Sequence, residues 1–232
     1  MDEARGANYP EGRHVPNLLT ISRLVLAAAF FVVLTPWEYE KSPAAKGLGI
    51  DWWILSAAAI FIVAAVTDAL DGALARRWGV VSVFGRVMDP FADKLLVIGA
   101  FILLAGRGFM MSVPDSTPIP MSAVTPWMVI VILARELLVT SIRAVVESQG
   151  GSFAASMSGK LKMILQSVCV PVVLVLLSFP ATVGPDRVGW SLWLIRIVVW
   201  TTMAVTVWSG VPYIVRAAAA LKDPRTTGGL PS

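Results

Sequence analysis

The chain has 232 residues, 56% of them hydrophobic and 15% charged, with a mean hydropathy of +0.75. Soluble domains run at about 45–50% apolar and about 25% charged, so a water-soluble globular fold is excluded, and disorder is excluded by the same figures. The net charge of +4 fits basic loops beside anionic headgroups; without the patterning of a nucleic-acid binder, membrane lipids and not nucleic acid are the expected partners.

The N-terminal stretch MDEARGANYPEGRH carries Asp2, Glu3 and Glu11. A signal peptide opens on basic residues and a transit peptide avoids acids, so the first apolar segment is expected to stay in the mature protein. Runs of spanning length fall at about 17–35, 52–76, 87–105, 124–146, 161–179 and 190–215. Between them lie the polar loop TPWEYEKSPAAKGLGID, the Pro-, Gly- and Ser-rich GRGFMMSVPDSTPIPMSAVTP and the turn-like FPATVGPDRVG. The expected fold is all-α: one polytopic bundle of six transmembrane helices occupying 1–232, with a juxtamembrane segment 1–16 and a polar tail 218–232. The last helix and the tail carry nothing diagnostic. The single cysteine, Cys169, lies in an apolar run, which leaves no internal disulfide.

Orientation follows the basic residues of the short loops. Arg5, Arg13, Arg76, Arg77, Arg86, Lys160, Lys222 and Arg225 fall on one side, and Lys41, Lys46, Arg107 and Arg187 on the other. The richer side is cytoplasmic, so both termini are expected there. Trp37, Trp52, Trp53, Trp127 and Trp190 then form a belt at the opposite interface, with Trp78 at the cytoplasmic one.

The second and third segments contain charges that an apolar span should not have. Asp68 and Asp71 are three residues apart, and Asp89 and Asp93 four; each spacing puts a pair on one helical face. At about 1.5 Å per residue, Asp68 lies roughly 12 Å deeper than Arg76, where the second span ends. A short connection makes the two helices antiparallel neighbours, so all four carboxylates converge in the cytoplasmic half. A central aspartate costs about 2.5–3.5 kcal/mol on insertion scales, while an apolar residue returns only about 0.3–0.6. Arg76, Arg86 and Lys94 offset part of this, and divalent cations offset more. An all-oxygen set without His or Cys favours Mg²⁺ or Mn²⁺ over zinc. Gly72, Ala73, Ala75 and Gly85 allow close approach to the backbone. Such a cleft beside Arg76 suits a diphosphate. The competing reading is an ion or proton path.

Asp68-x2-Asp71-Gly72-x2-Ala75-Arg76-x8-Gly85-x3-Asp89-x3-Asp93 resembles the full motif of the CDP-alcohol phosphotransferases, with eight identities at fixed spacing. Pro16-Asn17-Leu18-Leu19-Thr20-x2-Arg23, Asp89-Pro90-x-Ala92-Asp93-Lys94-Leu95, Ala134-Arg135-Glu136 with Thr140 and Arg143, and Gly159-Lys160-x-Lys162 resemble one branch, the phosphatidylglycerophosphate synthases. The likeness runs from about residue 15 to about residue 170. Met163 departs from it, standing where a small hydroxyl residue is expected.

The resemblance implies an enzyme of the cell (inner) membrane, with its active site facing the cytoplasm. The implied reaction moves the phosphatidyl group of CDP-diacylglycerol to sn-glycerol 3-phosphate, giving phosphatidylglycerophosphate and CMP in phosphatidylglycerol and cardiolipin biosynthesis. By the family pattern Asp68, Asp71, Asp89 and Asp93 hold two divalent ions, with Asp93 as ligand or general base. Asn17, Thr20, Asp68, Gly72, Ala75, Arg76 and Gly85 form the CDP pocket; helix capping is the second reading for Asn17. Arg135, Thr140, Arg143, Lys160 and Lys162 take the acceptor phosphate. Anionic headgroups are the second reading for the two lysines. Inositol phosphate, or phosphatidylglycerol as in a cardiolipin synthase, is the alternative acceptor. The resemblance also implies a homodimer.

Overall fold

A computed structural model describes residues 15–78, 83–148, 157–180 and 189–222, with side chains described for 21–67, 94–145, 148, 159, 161–180 and 189–215. Helices dominate these residues: α1 (Val15–Leu34), α2 (Trp52–Trp78), α3 (Val83–Leu104), α4 (Pro126–Ser148), α5 (Met157–Ser178) and α6 (Trp190–Lys222). The first five match their apolar runs to within four residues at each end, and α6 continues seven residues beyond the run at 190–215. The α3–α4 connection, expected as an irregular loop, holds a short antiparallel hairpin. Its strands β1 (Met110–Met111) and β2 (Ile119–Pro120) pair Met110 with Pro120 and Met111 with Ile119.

The helices alternate in direction, and polar contacts at both ends establish this. At one end the Asp51 N–H donates to the Ser178 carbonyl (2.8 Å), joining the start of α2 to the end of α5. There too Trp53 Nε1 donates to the Val33 carbonyl (2.8 Å) and Ser122 Oγ to that of Leu104 (2.6 Å). At the other end side chains link α3 to α4, α4 to α5 and α6, and α5 to α6. The most extensive packing is of α1 on α2 and of α5 on α6, and α2 also lies along α5. A Cβ on Gly99 would collide with the Phe31 ring, which explains the small residue where α3 meets α1.

The buried stripes change character along the bundle. On α1, Arg23 gives way to Ala27, Phe30 and Leu34. On α5, Lys162 and Gln166 give way to Cys169, Val170, Val173 and Leu174. Running the other way, Ile195 and Val199 on α6 yield to Thr202, Thr206 and Ser209, and Met128 and Ile132 on α4 yield to Glu136. Burying an unpaired polar group is costly, so this segregation gathers such groups where they can satisfy one another. At one end the helix interiors are apolar, with Ser42, Asp51, Ser122 and Ser178 buried where loops and helix ends meet, and at the other they are polar.

The outer face is apolar on every helix: Val32, Val63, Ile102, Ile130, Ile164 and Ile197 are all exposed. So much exposed aliphatic surface suits lipid, not water. Among the described residues, Leu161–Ser178 and Trp190–Val215 are long and apolar enough to cross a bilayer. Pro171 and Pro212 interrupt the hydrogen-bond ladders of α5 and α6, which neighbouring helices tolerate in such a setting.

Asp51 organises the apolar end. Its Oδ2 accepts from Trp37 Nε1 (2.9 Å) and Ser42 Oγ (2.5 Å), and its Oδ1 from the N–H groups of Trp53 (3.0 Å) and Ile54 (3.3 Å). It thereby caps α2. Burial raises its pKa, but the donors from Ser42, Trp37, Ile54 and Trp53 outweigh burial and hold the carboxyl below its ordinary value. Trp37 therefore does not belong to the exposed belt. It is buried against Phe109, with ring centroids 4.7 Å apart, because its N–H is needed by Asp51. Trp52, Trp53, Trp127 and Trp190 are exposed, as a belt requires.

Candidate active site

The residues expected to hold CDP and metal lie on three helices. Asn17 and Thr20 are on α1, Asp68, Asp71, Gly72, Ala75 and Arg76 on α2, and Gly85, Asp89 and Asp93 on α3. Their side chains lie outside the described residues, as does that of Lys160 on α5. The helical backbone preserves the one-turn spacing within each aspartate pair. Asn17 falls in the first turn of α1.

The expected acceptor residues are better defined. Glu136, Thr140 and Arg143 follow one another at i, i+4 and i+7 and form a stripe on α4. Glu136 Oε1 accepts from Lys162 Nζ across to α5 and from Arg135 Nη1 at 3.1 Å. All three side chains are buried, with relative exposures of 11% for Glu136, 8% for Lys162 and 10% for Arg135. A lone cation at this depth would be costly; a shared carboxylate lowers that cost. Its burial and its pairing with Glu136 remove the headgroup reading for Lys162.

α6 supplies the other side of Arg135. The Ser209 carbonyl accepts from Arg135 Nη2 at 3.4 Å, the Tyr213 ring lies 5.9 Å from the guanidinium carbon, and a Cβ on Gly210 would stand 3.3 Å from Arg135 Cγ. Nearby, Gln166 Nε2 donates to Thr206 Oγ1 (3.1 Å), which donates to the Thr202 carbonyl (2.7 Å). On the α3 side Lys94 Nζ donates to Thr140 Oγ1 (2.7 Å). Among the described residues, the buried Nε atoms of Arg135 and Arg143 have no hydrogen-bond partner. Cations around buried, unpartnered N–H groups are suited to an anion with several acceptor oxygens.

Sequence reasoning left out α6 and used Lys94 as a compensating charge and as part of the third-helix motif, without assigning it a site role. The signal in α6 was present, since Thr202, Thr206, Ser209, Gly210 and Tyr213 recur at helical spacing within an apolar span. Met163, which departs from the family pattern, is exposed on α5.

Fold and site together define a class, a helical bundle with an apolar outer face, suited to a membrane, and a buried cationic cluster at one end. The sequence profile of the CDP-alcohol phosphatidyltransferases matches residues 13–208, and the chain belongs to that family. A Bacillus subtilis protein named CDP-diacylglycerol–glycerol-3-phosphate 3-phosphatidyltransferase is 33% identical over 223 residues, covering 90% of this chain and 97% of the relative. An Escherichia coli protein of the same name is 31% identical over 214 residues, covering 90% and 98%. A Mycobacterium tuberculosis protein named probable phosphatidylglycerophosphate synthase is 33% identical over 215 residues, covering 92% and 86%.

Proposed function

We propose that the chain transfers the phosphatidyl group of CDP-diacylglycerol to sn-glycerol 3-phosphate, forming phosphatidylglycerophosphate and releasing CMP. The names of relatives that match along nine-tenths of its length support the reaction. The observation that carries the choice of acceptor is the buried Arg135–Glu136–Lys162 cluster, with Arg143 two turns further along α4. A small phosphorylated acceptor needs such cations, whereas a lipid acceptor needs an open lateral groove.

The reading places one catalytic domain over 1–232 in the cell (inner) membrane, with six spans, both termini cytoplasmic and the polar end of the bundle facing the cytoplasm. It also takes the active molecule to be a homodimer. Acyl chains would remain in the bilayer while glycerol 3-phosphate reaches the polar end from water.

Asp68, Asp71, Asp89 and Asp93 are an all-oxygen donor set on two helices, which fits two Mg²⁺ or Mn²⁺ ions. When bound, such ions would neutralise charge on the diphosphate as CMP leaves. The chain's own residues would do the rest. Asn17, Thr20, Gly72, Ala75, Arg76 and Gly85 would hold the CDP moiety. Arg135, Thr140, Arg143, Lys160 and Lys162 would orient the acceptor phosphate so that its hydroxyl meets the phosphorus bearing diacylglycerol. Asp93 would serve as ligand or accept the hydroxyl proton.

Product analysis tests this. Purified protein with CDP-diacylglycerol, Mg²⁺ or Mn²⁺ and a panel of acceptors should release CMP and form phosphatidylglycerophosphate with glycerol 3-phosphate. CMP release with inositol phosphate but not with glycerol 3-phosphate would overturn the choice of acceptor.

A further inference from the structure

We infer that Glu136 is a positioning residue for the acceptor: its buried carboxylate, together with a cradle on α6, fixes Arg135 and Lys162 where an incoming phosphate needs them. This rests on the acceptor reading above.

One carboxylate oxygen serves two cations. Oε1 of Glu136 accepts from both Arg135 Nη1 and Lys162 Nζ, which reach it from α4 and α5. One cation would suffice to neutralise a buried glutamate. Both are drawn to it, so the carboxylate sets the position of two cations from two helices at once. Arg135 is also held by the Ser209 carbonyl, the Tyr213 ring and the space left by Gly210. These contacts occupy its Nη groups and one flank, while its Nε stays buried without a partner, as does that of Arg143. A buried N–H without an acceptor is rare and unfavourable. Two of them on the cationic stretch of α4 suit the oxygens of a phosphomonoester. Glu136 does not touch the phosphate in this arrangement; it acts through the two cations.

The test is steady-state kinetics on wild type, Glu136→Gln, Glu136→Asp and Gly210→Ala, with each rate referred to folded protein. A glutamine offers one neutral carbonyl to two cations, so the KM for glycerol 3-phosphate should rise about ten-fold or more, with the KM for CDP-diacylglycerol within about two-fold of wild type. Asp keeps the charge but is shorter, and should recover part of the loss. Gly210→Ala tests the same point without removing a buried charge; its methyl displaces Arg135, and the acceptor KM alone should rise by roughly two- to five-fold. Equal changes in both KM values, or none in the acceptor KM of these variants, would overturn the positioning role. A wild-type protein that releases no CMP with glycerol 3-phosphate would instead overturn the acceptor reading itself.

Discussion

Asp51 and Glu136 are both buried carboxylates, one at each end of the bundle, and their surroundings differ. Asp51 accepts from an indole, a hydroxyl and two backbone N–H groups, all neutral. Glu136 accepts from two cations, and unpartnered guanidinium nitrogens lie close along the chain at Arg135 and Arg143. The first arrangement ties α2 to the preceding loop, while the Asp51 backbone N–H reaches the end of α5. The second joins α4, α5 and α6 and leaves buried guanidinium donors without a partner. A closed network of neutral donors serves the fold, whereas a cationic network with unpartnered donors has capacity for a ligand.

Substitutions can break or sharpen this contrast. The largest effect is expected at the polar end: Asp89→Asn should reduce CMP release by at least ~10²–10³-fold while the thermal transition stays near wild type. Near-normal turnover would remove Asp89 from the ligand set. At the apolar end, Asp51→Ala should cost roughly 2–4 kcal/mol of stability, from a lost cap and orphaned donors, with both KM values unchanged per folded molecule. Denaturation with parallel kinetics would show it, and a selective rise in acceptor KM would join the two ends functionally.

A smaller effect concerns acid. The folded pKa of Asp51 lies below its ordinary value of 3.8. Its contribution is therefore complete above that value and is lost as pH falls through the lower folded one. Asp51→Asn should remove this part of the acid limb of a stability–pH curve. An unchanged acid limb would show that Asp51 is not held ionised.

The two ends were unequally legible in the sequence. Helix positions followed from apolar run length, because a bilayer demands about 20 residues per span. Charges inside those runs marked the polar end, since each is costly enough to need a reason. Partners were harder to read. That Glu136 serves both Arg135 and Lys162 depends on which faces of α4 and α5 meet. Ser209, Gly210 and Tyr213 matter through what they leave open or touch on Arg135, which no local pattern encodes. Asp51 reads as a helix cap in its own sequence; its bond to Trp37, fourteen residues earlier, is tertiary. The same bond withdrew Trp37 from the interfacial belt that its residue type suggested.

Arg143 gives the most direct test of the claim that the polar end receives the acceptor phosphate. Its Nε is buried without a partner, so the folded protein has little to lose from its removal. The measurement is the ratio of the KM for glycerol 3-phosphate to that for CDP-diacylglycerol, in Arg143→Ala against wild type. Loss of one charged contact should raise that ratio about ten-fold. An equal rise in both KM values, or no change in either, would contradict the account.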